Sequence, residues 1–271
     1  VLPELLDSEP VVLARKLLEG VVMPKNTLSR FLSPERYALR PLHNFFFTRD
    51  AAMILGRQAL VGKMASRVRG RESVIQEAIF THHPDLKGET VNPQLLAEHS
   101  AEIAIEGGDV LVARKDVLLI GIGSRTTPEG VDFILDRWRR NPGPRKHILV
   151  QELPRHPESF IHLDMVFTFL DRDLCMIYEP VILQPNRFRT VHIEVDNGRT
   201  SIREEQNLLT ALSGLGMEME YLCCGGQDDT WIQEREQWHS GANFFAFGPG
   251  RVLGYARNVY TIDGLIRKGF E

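Results

Sequence analysis

The strongest constraint on this chain is a repeated order of patterns: two short alternating runs, an amphipathic run, then another short apolar run. The order returns with a spacing of very roughly 60 residues, which is how a radial or repeating architecture looks in sequence. In the first unit, residues 45–47 read as a strand running to Asp50, and 52–55 pairs with 59–63. The helix after them carries Val74, Ile75, Ala78 and Ile79 on one face. In the second unit, Ile103 and Ile105 alternate with Glu102 and Glu106, Gly107-Gly108 bends the chain, and 110–113 pairs with 117–121. Thr127-Pro128-Glu129 then opens a helix with Val131, Ile134, Leu135 and Trp138, and 147–153 returns as a strand. The third unit has a hairpin turning at Asp171-Arg172-Asp173, a helix with Leu208, Leu209 and Leu212, and a closing strand at 217–223. The fourth holds strands at 244–247 and 252–255 and a helix with Ile262, Leu265 and Ile266. By the rule of the repeat its closing strand is absent, so the sequence reads as an internal fragment.

Before the repeat, Ser8-Glu9-Pro10 looks like a helix start, with Leu13, Ala14, Leu17 and Leu18 at helical spacing until Gly20. A second short helix holds Leu28, Phe31 and Leu32. Such a piece cannot bury its apolar face alone and has to pack on something.

Residues 160–169 alternate as a strand with one buried face does: Ile161, Leu163, Met165, Phe167 and Phe169 on one side, Phe160, His162, Asp164, Val166 and Thr168 on the other. An imidazole and a carboxylate then point at the same region. Burying them is costly without a partner, and the partner is either a ligand or simply each other. Other units also place such groups near their hairpins: Asp50, and Glu106 with Asp109. Pseudo-symmetric units bring those ends toward one axis. Singly, each has an ordinary reading, since Asp50 can end a strand beside an arginine, diglycine turns are common, and Arg69 and Arg125 are as a rule solvated. Gly121-Ile122-Gly123-Ser124-Arg125 is no dinucleotide fingerprint, because Thr126 stands where the third glycine belongs. Together, several acids and a histidine suit a planar cation with several donors, and a guanidinium is that cation.

Composition narrows the alternatives. The formal net charge is −4, and no Lys/Arg run stands out, which argues against a nucleic-acid partner. No apolar run approaches the roughly 20 residues of a membrane span, so no membrane partner is expected. The N-terminal residues lack a signal-peptide series. Three cysteines, two of them adjacent, make no disulfide framework and fit a reduced, cytoplasmic setting. No His/Cys spacing resembles a zinc site, so no metal and no cofactor are expected.

The ordered motifs resemble those of the arginine deiminases, within the guanidine-modifying (amidinotransferase) superfamily. They are Asn44-Phe45-Phe46-Phe47-Thr48-Arg49-Asp50, Arg69-Gly70-Arg71-Glu72, Glu106-Gly107-Gly108-Asp109, Ser124-Arg125-Thr126 and Phe160-Ile161-His162-Leu163-Asp164. The likeness continues through 235–243 and Pro249-Gly250 to Arg257-Asn258. It implies an α/β fold, the five-bladed α/β propeller (pentein) of strand–strand–helix–strand modules. Residues 1–40 would be the end of a helical insertion, and 41–271 modules 2 to 5 with the last one truncated. It implies hydrolysis of L-arginine to L-citrulline and ammonia through a covalent cysteine adduct. In that scheme Asp50 and Asp164 grip the guanidinium, His162 is general base and acid, and Glu106 holds and orients the guanidinium. Arg69 and Arg125 pair with the α-carboxylate, and Asn44 contacts the substrate. The family's nucleophile lies in a glycine-rich segment near the C-terminus, and none of Cys175, Cys223 and Cys224 has that context. Ala51 and Ala256 are smaller departures. The alternatives are an amidinotransferase, or an arginine-binding protein without catalysis. A homo-oligomer is compatible with all three.

Overall fold

The repeat in the sequence is a repeat of connections in the computed structural model, which describes residues 1–96 and 101–270. Ahead of it lie α1 (Leu2–Leu6), α2 (Pro10–Glu19), β1 (Val21–Val22), α3 (Leu28–Leu32) and β2 (Tyr37–Leu39). Pro10 sits in the first turn of α2 and Gly20, at φ +85°, ends it. The Thr27 side chain accepts from Arg30 N to cap α3, and β1 pairs antiparallel with β2. None of the three helices fully buries a residue, although Leu13, Leu17 and Leu18 are half-buried.

The first correction falls at 45–50, where the expected strand is a turn followed by the short helix α4 (Thr48–Ala51). Three successive phenylalanines cannot alternate between a wet and a dry face, and Phe46 and Phe47 are indeed exposed. The helical turn buries Asp50 and Ala51 instead. The hairpin β3 (Ala52–Leu55) and β4 (Gln58–Val61) then forms as read, turning at Gly56 with φ +67°. Helix α5 (Gly70–His82) crosses over to β5 (Glu89–Val91), which pairs parallel with β4. The face of α5 is the second correction. Val74 and Ala78 are exposed, and the buried residues are Glu72, Ser73 and Gln76. An ion pair between Arg69 and Glu72 at its start turns the helix toward a polar cluster.

After α6 (Pro93–Leu96), the second unit repeats the order: β6 (Val110–Arg114), β7 (Val117–Ile122), α7 (Pro128–Arg140) and β8 (Lys146–Glu152). Instead of an alternating strand at 103–106, only an isolated bridge joins Ile105 to Lys63. The Thr127 side chain accepts from Gly130 N and caps α7, as expected. Its face with Val131, Phe133, Ile134 and Leu135 is buried. β8 lies parallel to β7 and splits its side chains between two cores. Ile148 and Val150 pack toward α7 and the first unit, and Leu149 toward the third.

The third unit contains β9 (Phe167–Phe169), β10 (Leu174–Ile177), α8 (Glu179–Ile182), β11 (Thr190–Asp196), β12 (Arg199–Glu205), α9 (Leu208–Gly214) and β13 (Glu220–Cys223). β10 pairs antiparallel with β9 and parallel with β13, the same arrangement as in the first two units. The hairpin β11–β12 is an addition that the repeat does not foretell. It joins the sheet of the second unit, in the order β12-β11-β8-β7-β6. Its turn, Asn197-Gly198, has φ +49° and +79°, as two-residue hairpin turns demand. After α10 (Thr230–Trp238), the fourth unit holds β14 (Phe245–Gly248) paired with β15 (Arg251–Leu253), then α11 (Val259–Arg267).

The third correction concerns 160–169. Only β9 is strand there; Glu158–Phe160 and Leu163–Met165 are single 3-10 turns. Burial does not alternate, since His162, Leu163 and Asp164 are all buried. The turn is fixed by Met165 N and Val166 N donating to His162 O and Leu163 O, while Leu163 N donates to Asp109 Oδ1 at 2.9 Å. Polar capping overrides the strand pattern.

Candidate active site

The residues that meet come from the starts of three successive units. Asp50 arrives on α4, Glu106 just before a 3-10 turn at Gly107–Asp109, and His162 and Asp164 on the turn before β9. His162 Nε2 lies 2.9 Å from Glu106 Oε2, and its Nδ1 lies 3.9 Å from Asp50 Oδ1. Glu106 is fully buried, and His162 is 4 % and Asp164 7 % exposed. Gly108 is what lets them approach: a Cβ there would stand 2.6 Å from His162 Nδ1 and 3.1 Å from Asp50 Oδ1.

Three arginines face this negative cluster. Arg69 is 6 % exposed; its Nη1 donates to Asp50 Oδ2 at 2.7 Å, and its Nε and Nη2 donate to the Glu72 carboxylate. It also stands 3.9 Å from Glu106. Arg125, half-buried, lies 3.8 Å from Glu106 Oε1, which accepts from Ala65 N at 2.9 Å. Arg49, half-exposed, lies 3.4 Å from Asp164 Oδ2. Asn44 is the one expected site residue not drawn in. It is exposed in the turn before α4, and its carbonyl accepts from Phe47 N.

The electrostatics follow from burial set against partners. Burial alone would lower the His162 pKa, but the bond to Glu106 and the charges of Asp109, Asp164 and Asp50 raise it to about 9. Glu106 would be raised by burial, yet its bond to His162, the Ala65 N–H and Arg125 hold it below the usual carboxylate range. Asp164 is pushed up by burial despite His162 and Arg49. Burial dominates at Asp109, raising it to about 7. Among the described residues its Oδ2 has no hydrogen-bond partner. Sequence reading left out Arg49, Glu72 and Asp109 as site residues. Glu72 follows Arg69 at the i,i+3 spacing of a helical ion pair, and Asp109 follows Glu106 across the glycine pair, so both had a local signal.

The motif at 235–243 is scaffold. Gln237 Nε2 donates to Ser159 O at 2.8 Å and also reaches Met165 O, pinning both ends of the His162 turn. Buried Glu236 accepts from Tyr260 N, Thr261 N and Thr261 Oγ1 at the start of α11.

Asp50, Glu106 and His162 also offer three close metal-ligating atoms. A metal ion there would have to displace the Arg69 guanidinium and take the proton that His162 holds up to about pH 9. The donor set suits an organic cation better. The cysteines lie outside the cluster and are buried, which pushes Cys175 and Cys224 to about 12 and Cys223 to about 11, away from thiolate character.

Comparison with known proteins resolves the family. A family model described as arginine deiminase matches residues 11–271. The chain belongs to the arginine deiminase family. An arginine deiminase of Treponema denticola is 34 % identical over 276 residues, covering 97 % of this chain and 66 % of that one. One of Streptococcus uberis is 35 % identical over 239 residues, covering 87 % and 56 %. The chain thus spans 56–66 % of the lengths of these two curated relatives. Among solved structures, an amidinotransferase from Microseira wollei matches with a TM-score of 0.56 at 13 % identity, covering 88 % of this chain and 64 % of that one. The DDAH of Pseudomonas aeruginosa, complexed with citrulline, matches at 0.51 and 17 %, covering 86 % and 70 %. At such identities the likeness is one of α/β fold. Among the described residues no helix is long and apolar enough to cross a membrane.

Proposed function

We propose that this chain forms the guanidinium-holding part of a hydrolase that converts L-arginine to L-citrulline and ammonia. The observation that carries the reading is Arg69: the buried cluster already holds one guanidinium, by a 2.7 Å bond to Asp50 beside Glu106 and His162. Carboxylates fixed in this way bind and orient a planar cation with no metal. In this reading the substrate's guanidinium takes the Asp50 and Asp164 carboxylates, Arg69 gives way, and Glu106 holds the substrate's nitrogens. Arg69 and Arg125 then face the α-carboxylate, and Asn44, exposed in the turn before α4, reaches the substrate only if that turn moves inward. His162 shuttles the proton that the leaving ammonia needs, because Glu106 keeps its imidazole charged near neutral pH. A cysteine thiolate, none of the three buried thiols having that role, attacks the guanidinium carbon, and water releases citrulline from the adduct.

The four units fit a five-bladed propeller around this cluster, residues 1–40 being the end of a helical insertion. Three free, buried cysteines support a reducing, cytoplasmic setting. A homo-oligomer is compatible with the same reading.

The test is calorimetric binding of arginine and agmatine to the chain, paired with an assay of citrulline release. Asp164→Ala is expected to lose arginine binding, and Arg125→Ala to lose the preference for arginine over agmatine. Unchanged preference in Arg125→Ala would refute the carboxylate assignment. Arginine binding with no citrulline release would leave only a binding protein.

A further inference from the structure

A second group of chemistry-bearing side chains lies on the five-stranded sheet, outside the arginine-facing cluster. The β8–β11 register sets His147 opposite Glu194 and Leu149 opposite His192, so His147, His192 and Glu194 share one face. His147 Nδ1 lies 2.9 Å from His192 Nε2 and 3.9 Å from Glu194 Oε2, and the three atoms all fall within 4.8 Å of one another. His147 is 6 % and His192 1 % exposed, and Glu194 is half-buried.

We propose that His147 Nδ1, His192 Nε2 and the Glu194 carboxylate form a site for a divalent transition-metal ion of the zinc class. Zinc–ligand bonds of about 2.0–2.1 Å put tetrahedral ligand atoms about 3.3 Å apart, and the observed 2.9 and 3.9 Å bracket that spacing. Two imidazole nitrogens facing each other have one proton between them, and the ion takes its place. That proton has a destination. His192 Nδ1 lies 3.2 Å from Glu205 Oε1, so on metal binding the proton leaves Nε2 and Nδ1–H donates to Glu205. His192 stays neutral throughout. This is the outer carboxylate that orients a ligating imidazole.

Arg203 Nη2, 2.6 Å from the same Nδ1, gives up that contact and keeps its 2.8 Å bond from Nε to Glu205. Arg145, 3.5 Å from Glu194, can rest on Asp196 at 2.9 Å. The quarter-exposed side of Glu194 leaves a path for the ion and a fourth position for water.

The experiment is titration of the chelator-treated chain with Zn²⁺ by calorimetry, and with Co²⁺ by visible absorption. One ion per chain is expected, with a tetrahedral cobalt spectrum. His147→Asn and His192→Asn should each weaken binding at least about tenfold, Glu205→Gln by about 10–100-fold, and Glu106→Gln should leave it unchanged. No stoichiometric binding, binding untouched by the histidine substitutions, or binding lost in Glu106→Gln would each overturn the assignment. Circular dichroism reports folding. If a histidine variant is unfolded, Glu194→Gln replaces it, with the same tenfold loss expected and unchanged affinity refuting.

Discussion

Glu106→Gln isolates the interaction that sets the charge of the candidate site. The substitution keeps the shape, and its amide oxygen can still accept from Ala65 N, but it removes the anion 2.9 Å from His162 Nε2. His162 is raised from 6.5 to about 9 although burial works against it, and Glu106 is the largest of the contributions that raise it. At about 1.4 kcal/mol for each tenfold in proton affinity, the rise corresponds to about 3 kcal/mol. A group raised in this way stabilises the fold fully below about pH 6.5, and the contribution is lost as pH climbs through about 9. Without the anion, burial is opposed only by Asp109, Asp164 and Asp50, and the His162 pKa should fall by roughly 1–3 pH units. Glu106 itself, held low in the folded state, contributes stability above its usual pKa that is lost on acidification. The assay is NMR titration of the His162 ring protons, with urea unfolding of both proteins at pH 6 and pH 9. Wild type should lose stability between the two, and the variant should lose much less. A His162 pKa that stays put in Glu106→Gln would refute the electrostatic account.

Two other predictions bear on the same cluster. Gly108→Ala should cost about 1–3 kcal/mol, because its methyl would stand 2.6 Å from His162 Nδ1 inside a packed interior; an unchanged unfolding midpoint, with an unshifted His162 resonance, would mean the contact is not tight. Asp109 is raised from 3.8 to about 7, so it holds its proton longer in the folded than in the unfolded chain and should make stability fall as pH rises between those values. Asp109→Asn, which can still accept from Leu163 N, should flatten that fall in urea unfolding at pH 4.5 and 7.5, and an unaltered slope would count against the buried acid.

The clustering of the candidate residues was legible because their chemistry is local and ordered along the chain. Asp50, Glu106, His162 and Asp164 each sit beside the feature that positions them, such as Gly107-Gly108 before the second hairpin. The repeat was legible for the same reason: β3–β4, β6–β7 and β9–β10 are hairpins with short turns, each followed by a helix and a parallel return. Backbone conformation near the site was less so. Residues 160–169 alternate, yet only Phe167–Phe169 is strand and Leu163–Met165 is a 3-10 turn, because Asp109, fifty-four residues upstream, captures Leu163 N. The hairpin β11–β12 had its Asn197-Gly198 signal, but its place at the edge of another unit's sheet depended on β8 being free to pair.

Sequence alone determined which groups carry charge and how often the strand–strand–helix order returns, and it raised the expectation that the acids receive a guanidinium. These follow from side-chain chemistry and periodicity, which neighbours in the chain express. Only tertiary structure decided that Arg69 sits inside the carboxylate cluster, that Asn44 stays outside it, and that α5 buries Glu72 rather than Val74. A buried charge cannot remain unpaired, so the partner it finds across the fold, and not its own helix periodicity, sets the face that turns inward.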